Sequence, residues 1–257
     1  MIRIDLNCDL GEREELAAAV QDQLLGSVTS ANIACGGHAG SEALMRLTCQ
    51  QALRHGTAIG AHPGYADRAN FGRLALQLPL ADVEASVERQ IRALLQVAGE
   101  CGAVVTYVKP HGALYNQAAR DGELAVCIAR AAARVDPGLA LMGLAGSGML
   151  AVWREAGPRV IAEAFADRRY AADGSLRSRS HAGSLLDDPE QAAEQAVRIA
   201  MHGEVVALDG SIVRVPAQTL CIHSDTPGAA EIARVVRKRL EEVGVSVRPW
   251  NSGPPLG

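Results

Sequence analysis

Four histidines share one local pattern in which an apolar, strand-like run ends in His and a small or turn residue follows. They are His38 in NIACGGHAG, His62 in TAIGAHPG, His111 in VVTYVKPHG and His223 in QTLCIHSD. Imidazole moves protons near neutral pH and ligates metals, so four of them where strands give way to loops point to acid–base or metal chemistry at one polar mouth. Side chains alternate across a strand, and this parity selects companions for them. Asp5, Asn7 and Asp9 fall on one face of the first run, Tyr107, Lys109 and His111 on one face of another, and Glu163 and Asp167 on one face of a third. The resulting inner ring is Asp9, Asn32, His62, Lys109, His111, Glu163, Asp167 and His223. So many ionisable groups at strand ends carry a desolvation cost without structural return, which favours a functional explanation. The direction of His38 is not fixed by parity, because Gly36 and Gly37 precede it. Lys109 stands out further, since only it and Lys238 are lysines among the 25 basic residues.

The elements that must hold these residues alternate along the chain. Strand-like runs cover 2–8, 29–35, 57–61, 103–109, 139–144, 160–165, 218–223 and 245–248. Between them lie helical patterns, such as Val83, Val87, Ile91, Leu94 and Ala98 on one face, and Ile232, Val235, Val236, Leu240 and Val243 on another. Repeated βα units specify a parallel sheet with helices outside it. The expected fold is therefore an α/β, distorted TIM-like (β/α) barrel of seven or eight mostly parallel strands. We expect one domain over residues 1–257, with a β-hairpin insertion at 204–215 turning at Asp209-Gly210. Two long loops, 63–79 and 166–189, follow strands and so belong to the face where barrel sites form.

Composition narrows the function. A net charge of −4 with interleaved signs gives no basic face for nucleic acid. No run reaches the roughly 20 apolar residues that span a bilayer, and the start, MIRIDLNCDL, reads as a strand; the expectation is a cytoplasmic protein. The six cysteines form no C-x-x-C pair, which argues against structural zinc and disulfides. Cys35, beside Gly36, Gly37 and His38, reads as a packed thiol in preference to a nucleophile. No G-x-x-x-x-G-K-[ST] phosphate loop is present, and the Gly143 to Gly148 stretch lacks the lysine.

At the same residues the chain resembles the LamB/YcsF family. The matching stretches are IDLNCDLGE (4–12), SANIACGGHAG (30–40), GAHPGYADRANFGR (60–73), VKPHGALYN (108–116), EAFADRRYAADGSLRSR (163–179) and CIHSDTPGA (221–229). Ser41 and Ser224 stand where the family usually carries Asp and Gly, Asn70 and Leu74 alter its GFGRR stretch, and 13–28 replaces a longer segment beginning Phe-Gly. The resemblance implies a barrel related to the glycoside hydrolase/deacetylase superfamily. It also implies the role of the A component in an ATP-hydrolysing 5-oxoprolinase, working with the B and C components (PxpB and PxpC) to open 5-oxoproline to L-glutamate as ATP becomes ADP and phosphate.

A five-membered lactam is hard to hydrolyse, because its amide is resonance-stabilised and the leaving amine stays tethered. Phosphorylation of the amide oxygen by ATP would activate it. In that scheme ATP, with Mg²⁺, is handled largely by the partner subunits. Asp9 or His111 acts as general base, and Lys109 and His62 stabilise the oxyanion or phosphate. Asn32 orients the amide, and Arg73 and Arg168 hold the substrate carboxylate. Asn7, His38, Glu163, Asp167 and His223 complete the substrate contacts. Two alternatives remain open: a stand-alone metal-dependent amide hydrolase or deacetylase, with Asp9, His62 and His111 as ligands of a divalent ion, and a non-catalytic substrate-binding subunit. A homo-oligomer is compatible with each.

Overall fold

The computed structural model describes residues 2–13, 18–179 and 181–251. Part of the replaced first loop, residues 14–17, therefore lies outside the described residues. In chain order the elements are β1 (Arg3–Leu10), α1 (Ala18–Ser27), β2 (Ser30–Ala34), α2 (Glu42–His55), β3 (Ala58–His62), α3 (Leu80–Glu100), β4 (Val105–Val108), α4 (Gly112–Ala118), α5 (Gly122–Val135), β5 (Ala140–Leu144), α6 (Gly148–Ala156), β6 (Val160–Phe165), α7 (Pro189–His202), β7 (Glu204–Val206), β8 (Ile212–Arg214), β9 (Thr219–Cys221), α8 (Ala229–Glu242) and β10 (Ser246–Val247). The larger sheet runs β10-β1-β2-β3-β4-β5-β6-β9, and β9 also pairs with β1 in parallel, so that seven strands close into a TIM-like α/β barrel. β7 and β8 form a separate antiparallel pair, Val205 opposite Val213.

Local chemistry sets the element ends. Ser41 caps α2 by accepting from the Leu44 amide, and Gly56 closes the same helix at φ 65°, where a glycine is free of Cβ strain. An aspartate at 41 would cap equally well, which explains why the departure from the family pattern at Ser41 leaves the helix start intact. Asp188 accepts from the Gln191 amide and Pro189 opens α7, the usual placement of a proline in the first helical turn.

Contacts group the chain into two compact units. One comprises residues 1–8, 18–30 and 162–257. In it Asp5, Leu6 and Asn7 of β1 lie in register with Thr219, Leu220 and Cys221 of β9, and Glu163 of β6 with Thr219. The other comprises 9–17 and 31–161. There α3 buries Val83, Val87, Ile91, Leu94 and Ala98, the stripe expected from its 3.6-residue period. In the same unit Gly60 of β3 pairs with Tyr107 of β4. A Cβ at Gly60 would collide with the Tyr107 ring, so glycine is what lets that ring lie across the strand. No helix among the described residues is long and apolar enough to cross a membrane.

Candidate active site

The second unit gathers a cluster that joins three of the strand-end histidines. His62 is the last residue of β3, and its Nδ1 lies 2.7 Å from the Lys109 carbonyl. His111, one residue before α4, places Nε2 2.9 Å from the Phe71 carbonyl. A carbonyl can only accept, so in both rings that nitrogen carries the proton, and the other, in the neutral form, presents a lone pair. Those two remaining atoms, His62 Nε2 and His111 Nδ1, are 3.0 Å apart. Glu12 Oε1 lies 3.3 Å from the same His111 atom and 3.0 Å from His38 Nε2. The His38 ring stacks on His111 with centroids 3.6 Å apart and planes within 2°. One ligand-type atom from each of Glu12, His38, His62 and His111 falls within 4.8 Å of the others.

Burial, reinforced by the neighbouring imidazoles, holds the pKa of His38 and of His111 well below the usual histidine range, so both rings are neutral at pH 7. Acceptor atoms facing one another at this spacing repel unless a proton or a cation lies among them. The buried His38 Nδ1 has no hydrogen-bond partner, an unusual state for a polar atom inside a protein.

The surroundings show how the sequence places these rings. A Cβ at Gly64 would stand 2.8 Å from His38 Nδ1, and one at Gly72 would stand 2.6 Å from His38 Cβ. Gln90, from α3, brackets Gly64 by accepting from its amide (3.0 Å) and donating to its carbonyl (2.8 Å). Phe71 is the one non-glycine residue with positive φ, 53°, among those described. Its left-handed backbone, disfavoured for a bulky side chain, accompanies the hydrogen bond from His111 to its carbonyl. Arg13 and Arg73 place their guanidinium carbons 5.6 and 4.9 Å from the Phe71 ring centre, giving this rim a positive charge.

Beside the cluster runs a buried polar chain. Tyr107 Oη donates to Asn32 Oδ1 (2.7 Å), Asn32 Nδ2 donates to Asp9 Oδ1 (2.7 Å), and Lys109 Nζ donates to the same oxygen (2.9 Å). His62 Nε2 is 3.5 Å from Asp9 Oδ1. Asp9, Asn32, His38, His62, Lys109 and His111 are thus brought together. The donor set differs from the expected Asp9, His62 and His111, because Asp9 is engaged by Lys109 and Asn32 while Glu12 reaches the imidazoles. Strand parity missed Glu12 because it lies past the end of β1, and it left His38 undirected. The signals available were the IDLNCDLGE stretch for Glu12 and the glycines around His38.

The remaining candidates lie in the other unit. Asn7 donates to Thr219 Oγ1 at 2.8 Å. Its neighbour on the same strand face, Asp5, has its pKa raised to about 6 by burial, against the opposing hydroxyl bonds from Thr219, Thr29 and Ser30. Glu163 is fully buried on β6. Arg168 is buried, and its Nη2 donates to the Arg177 carbonyl at 2.5 Å; burial, with the Arg179 charge, lowers its pKa to about 10. Asp167 accepts from the Nδ1 and backbone amide of His223 and from the Thr226 hydroxyl. Cys35, in the histidine unit, is buried and its thiol pushed up to about 12 by desolvation, which leaves no thiolate for nucleophilic attack at neutral pH.

The LamB/YcsF family model matches residues 4–254. A protein of Chloroflexus aggregans, named as the A subunit of 5-oxoprolinase, is 48% identical over 249 residues, covering 96% of this chain and 99% of the relative. One of Agrobacterium fabrum, named as a first form of the same A subunit, is 45% identical over 253 residues, covering 98% and 99%. Among solved structures, the lactam utilization protein of Thermus thermophilus superposes with a TM-score of 0.89 at 45% identity, covering 96% of this chain and 99% of that one. A family 4 carbohydrate esterase from Streptomyces lividans reaches a TM-score of 0.51 at 11% identity, covering 96% and 91%, a likeness of fold alone.

Proposed function

The chain belongs to the LamB/YcsF family, and from that premise we propose that it is the lactam-opening component of an ATP-dependent 5-oxoprolinase that converts 5-oxoproline to L-glutamate with formation of ADP and phosphate. The observation that carries the reading is the convergence of Glu12, His38, His62 and His111 beside the Asp9–Lys109 pair, in a chain whose curated relatives are named as the A subunit of 5-oxoprolinase. ATP, with Mg²⁺, is bound largely by the partner B and C components (PxpB and PxpC), because this chain has no lysine-bearing phosphate loop.

In this reading the lactam oxygen receives the γ-phosphoryl group of ATP, which makes the ring carbon electrophilic. Water adds to that carbon. His111, with its lone pair turned toward the cluster, takes a proton from the water, and its ring stays aimed because Nε2 is tied to the Phe71 carbonyl. Lys109 supplies a compact positive charge toward the developing oxyanion, and Asp9 fixes its position. Arg73, on the rim, holds the substrate carboxylate.

A second reading of the cluster is favoured by the tautomers. The lone pairs of His62 Nε2 and His111 Nδ1 converge with the Glu12 carboxylate, a donor set that fits a divalent cation of the zinc type. Glu12, His62 and His111, with His38, would hold it, and such an ion would supply Lewis-acid polarisation and a more acidic water. Both readings are tested in a complex reconstituted with its partner subunits. 5-Oxoproline-dependent ATP hydrolysis and glutamate formation are measured with and without this chain, and the chain's metal content is assayed after purification free of chelator. Glutamate that forms only with the chain supports the lactam-opening role; glutamate forming equally without it ends that role. About one equivalent of metal, lost in His62→Ala, supports the cation.

A further inference from the structure

We infer that His38 does not bind the cation: it is the positioning residue of Glu12, donating Nε2–H to that carboxylate and aiming it at the lone pairs of His62 and His111. The inference rests on the cation reading of the cluster and narrows its donor set to Glu12, His62 and His111. All four residues belong to the unit of residues 9–17 and 31–161.

Ring planes decide which imidazoles can share an ion. The lone pair of an imidazole nitrogen lies in the plane of its ring, so one cation bound by two rings lies on or near both planes. The planes of His62 and His111 stand 89° apart with centroids 4.9 Å apart, and planes that cross share a line on which an ion can sit. His38 and His111 are parallel within 2° and stacked with centroids 3.6 Å apart. Parallel planes share no point. An ion in line with the His111 lone pair is displaced from the His38 plane by close to the stacking distance, well beyond a zinc–nitrogen bond of about 2.0–2.1 Å.

The far nitrogens agree. A ligating histidine almost always gives its other N–H to an acceptor, which fixes its tautomer and direction. His62 Nδ1 has the Lys109 carbonyl at 2.7 Å, and His111 Nε2 has the Phe71 carbonyl at 2.9 Å. His38 Nδ1 is buried with no partner. It faces the bare Cα of Gly64, where a Cβ would stand 2.8 Å away, and the Gly64 amide is already given to Gln90. Ligation through Nε2 would put the His38 proton on Nδ1 and leave a buried N–H without an acceptor. With the proton on Nε2, 3.0 Å from Glu12 Oε1, the ring donates its one N–H and needs no acceptor behind it.

Glu12 needs such an anchor. It lies past the end of β1, beyond Gly11 at φ 69°, so strand geometry does not direct its side chain. That side chain is 4% exposed, and its Oε1 is 3.3 Å from His111 Nδ1. The His38 ring is itself held on several sides: His111 lies on its face, Phe71 meets it edge-on with centroids 5.5 Å apart, and a Cβ at Gly72 would stand 2.6 Å from His38 Cβ. A ring packed this way presents Nε2–H in one direction, and the carboxylate that accepts it is fixed in turn.

The test uses the full chain, stripped of metal, with Zn²⁺ and Co²⁺ as probes. Calorimetric titration with Zn²⁺ should find one site in the parent, lost in His62→Ala and in His111→Ala. His38→Ala should weaken that site about 10- to 100-fold, the usual cost of removing a group that orients a ligand. His38→Gln, whose amide can still donate to Glu12, should stay within about threefold of the parent. Its Co²⁺ complex should keep the parent's visible absorption bands, because the atoms bound to the ion are the same. A His38→Gln affinity no better than that of His38→Ala, or altered Co²⁺ bands, overturns the inference, as does a His38→Ala affinity equal to the parent's. ¹⁵N NMR of the Zn²⁺-loaded parent needs no variant: it should find the His38 proton on Nε2. A parent that takes up no Zn²⁺ removes the cation reading and the inference with it. A parent that binds Zn²⁺ with His38 protonated only at Nδ1, the form of a ligating ring, removes the inference alone.

Discussion

The two units use histidine in opposite ways. In the unit of residues 9–17 and 31–161, His62 and His111 each donate to a backbone carbonyl. Their free lone pairs then face one another and the Glu12 carboxylate, beside His38 and His111 rings that burial keeps neutral. In the other unit, His223 donates to a carboxylate that is held ionised. A carbonyl orients an imidazole without adding net charge, so the first arrangement favours neutral rings gathered around a shared proton or cation. A carboxylate orients the ring by accepting from Nδ1 and sets a buried anion behind it, so the second arrangement ties a single imidazole to a single charge. The partner on the far nitrogen decides what the near nitrogen can do.

The strongest way to break this comparison is to remove the cluster. His111→Ala and Lys109→Ala should each lower glutamate formation in the reconstituted complex by roughly 100-fold or more. Lys109→Ala should also destabilise the chain, because it leaves Asp9 buried without its cation, a loss of about 3–5 kcal/mol for pairs of this kind. Full turnover in both variants would remove the cluster from the chemistry. Chemical denaturation separates the two effects, since His111→Ala leaves the Asp9–Lys109 pair intact.

What the sequence made legible follows from strand periodicity. Apolar β-branched runs alternating with helical stripes point to a parallel barrel, and the hydrogen-bonded order of β1 to β6 and β9 is that of one. Period-two alternation also groups Asp9, Lys109 and His111: Asp9 lies within β1, and past the end of β4 the Lys109 and His111 amides still donate to the Ala61 and Pro63 carbonyls, which keeps the chain extended through Pro110. It has no purchase where the chain leaves the strand. Glu12 lies beyond Gly11 at φ 69°, and His38 follows Gly36 at φ 86°, so neither direction follows from parity. The Phe71 carbonyl that fixes the His111 tautomer depends on a left-handed backbone at a residue type that rarely adopts it. The partner that decides each imidazole's tautomer is a matter of three-dimensional placement, and no spacing encodes it.

A subtler substitution sharpens the contrast between the units. Gly72 sits at φ 61°, and a Cβ there would press on His38 at 2.6 Å and on the His111 ring at 3.1 Å. Gly72→Ala should lower stability by about 1–3 kcal/mol through backbone strain and the displaced rings. At a temperature where the variant is fully folded, turnover should still fall about tenfold, a loss of roughly 1.4 kcal/mol in transition-state stabilisation. The ¹⁵N signals of His38 and His111 should shift while that of His223 stays in place. A His223 shift as large as that of His38 would show that the two sets of histidines do not respond independently.

The smallest effect concerns two buried carboxylates of one unit whose pKa values move in opposite directions. Asp5 is raised to about 6 by burial, while Asp167 is held low by His223. For Asp5 the folded state binds its proton more tightly than the unfolded state, so its contribution favours folding below about pH 4. That contribution is lost as pH rises toward 6, with a slope of at most about 1.4 kcal/mol per pH unit. Asp167 acts in the other sense: its contribution is present above the unfolded carboxylate pKa and is lost as pH falls through its lowered value. Asp5→Asn cannot titrate and keeps a polar group facing Thr29, Ser30 and Thr219. The difference in unfolding free energy between Asp5→Asn and the parent should therefore move in the variant's favour as pH rises from 4 to 6 and level off above it. Denaturant melts at half-unit pH steps measure it. A difference that stays flat over that window would mean that Asp5 is already ionised when folded, so that the hydroxyl bonds outweigh burial there as the His223 interactions do at Asp167.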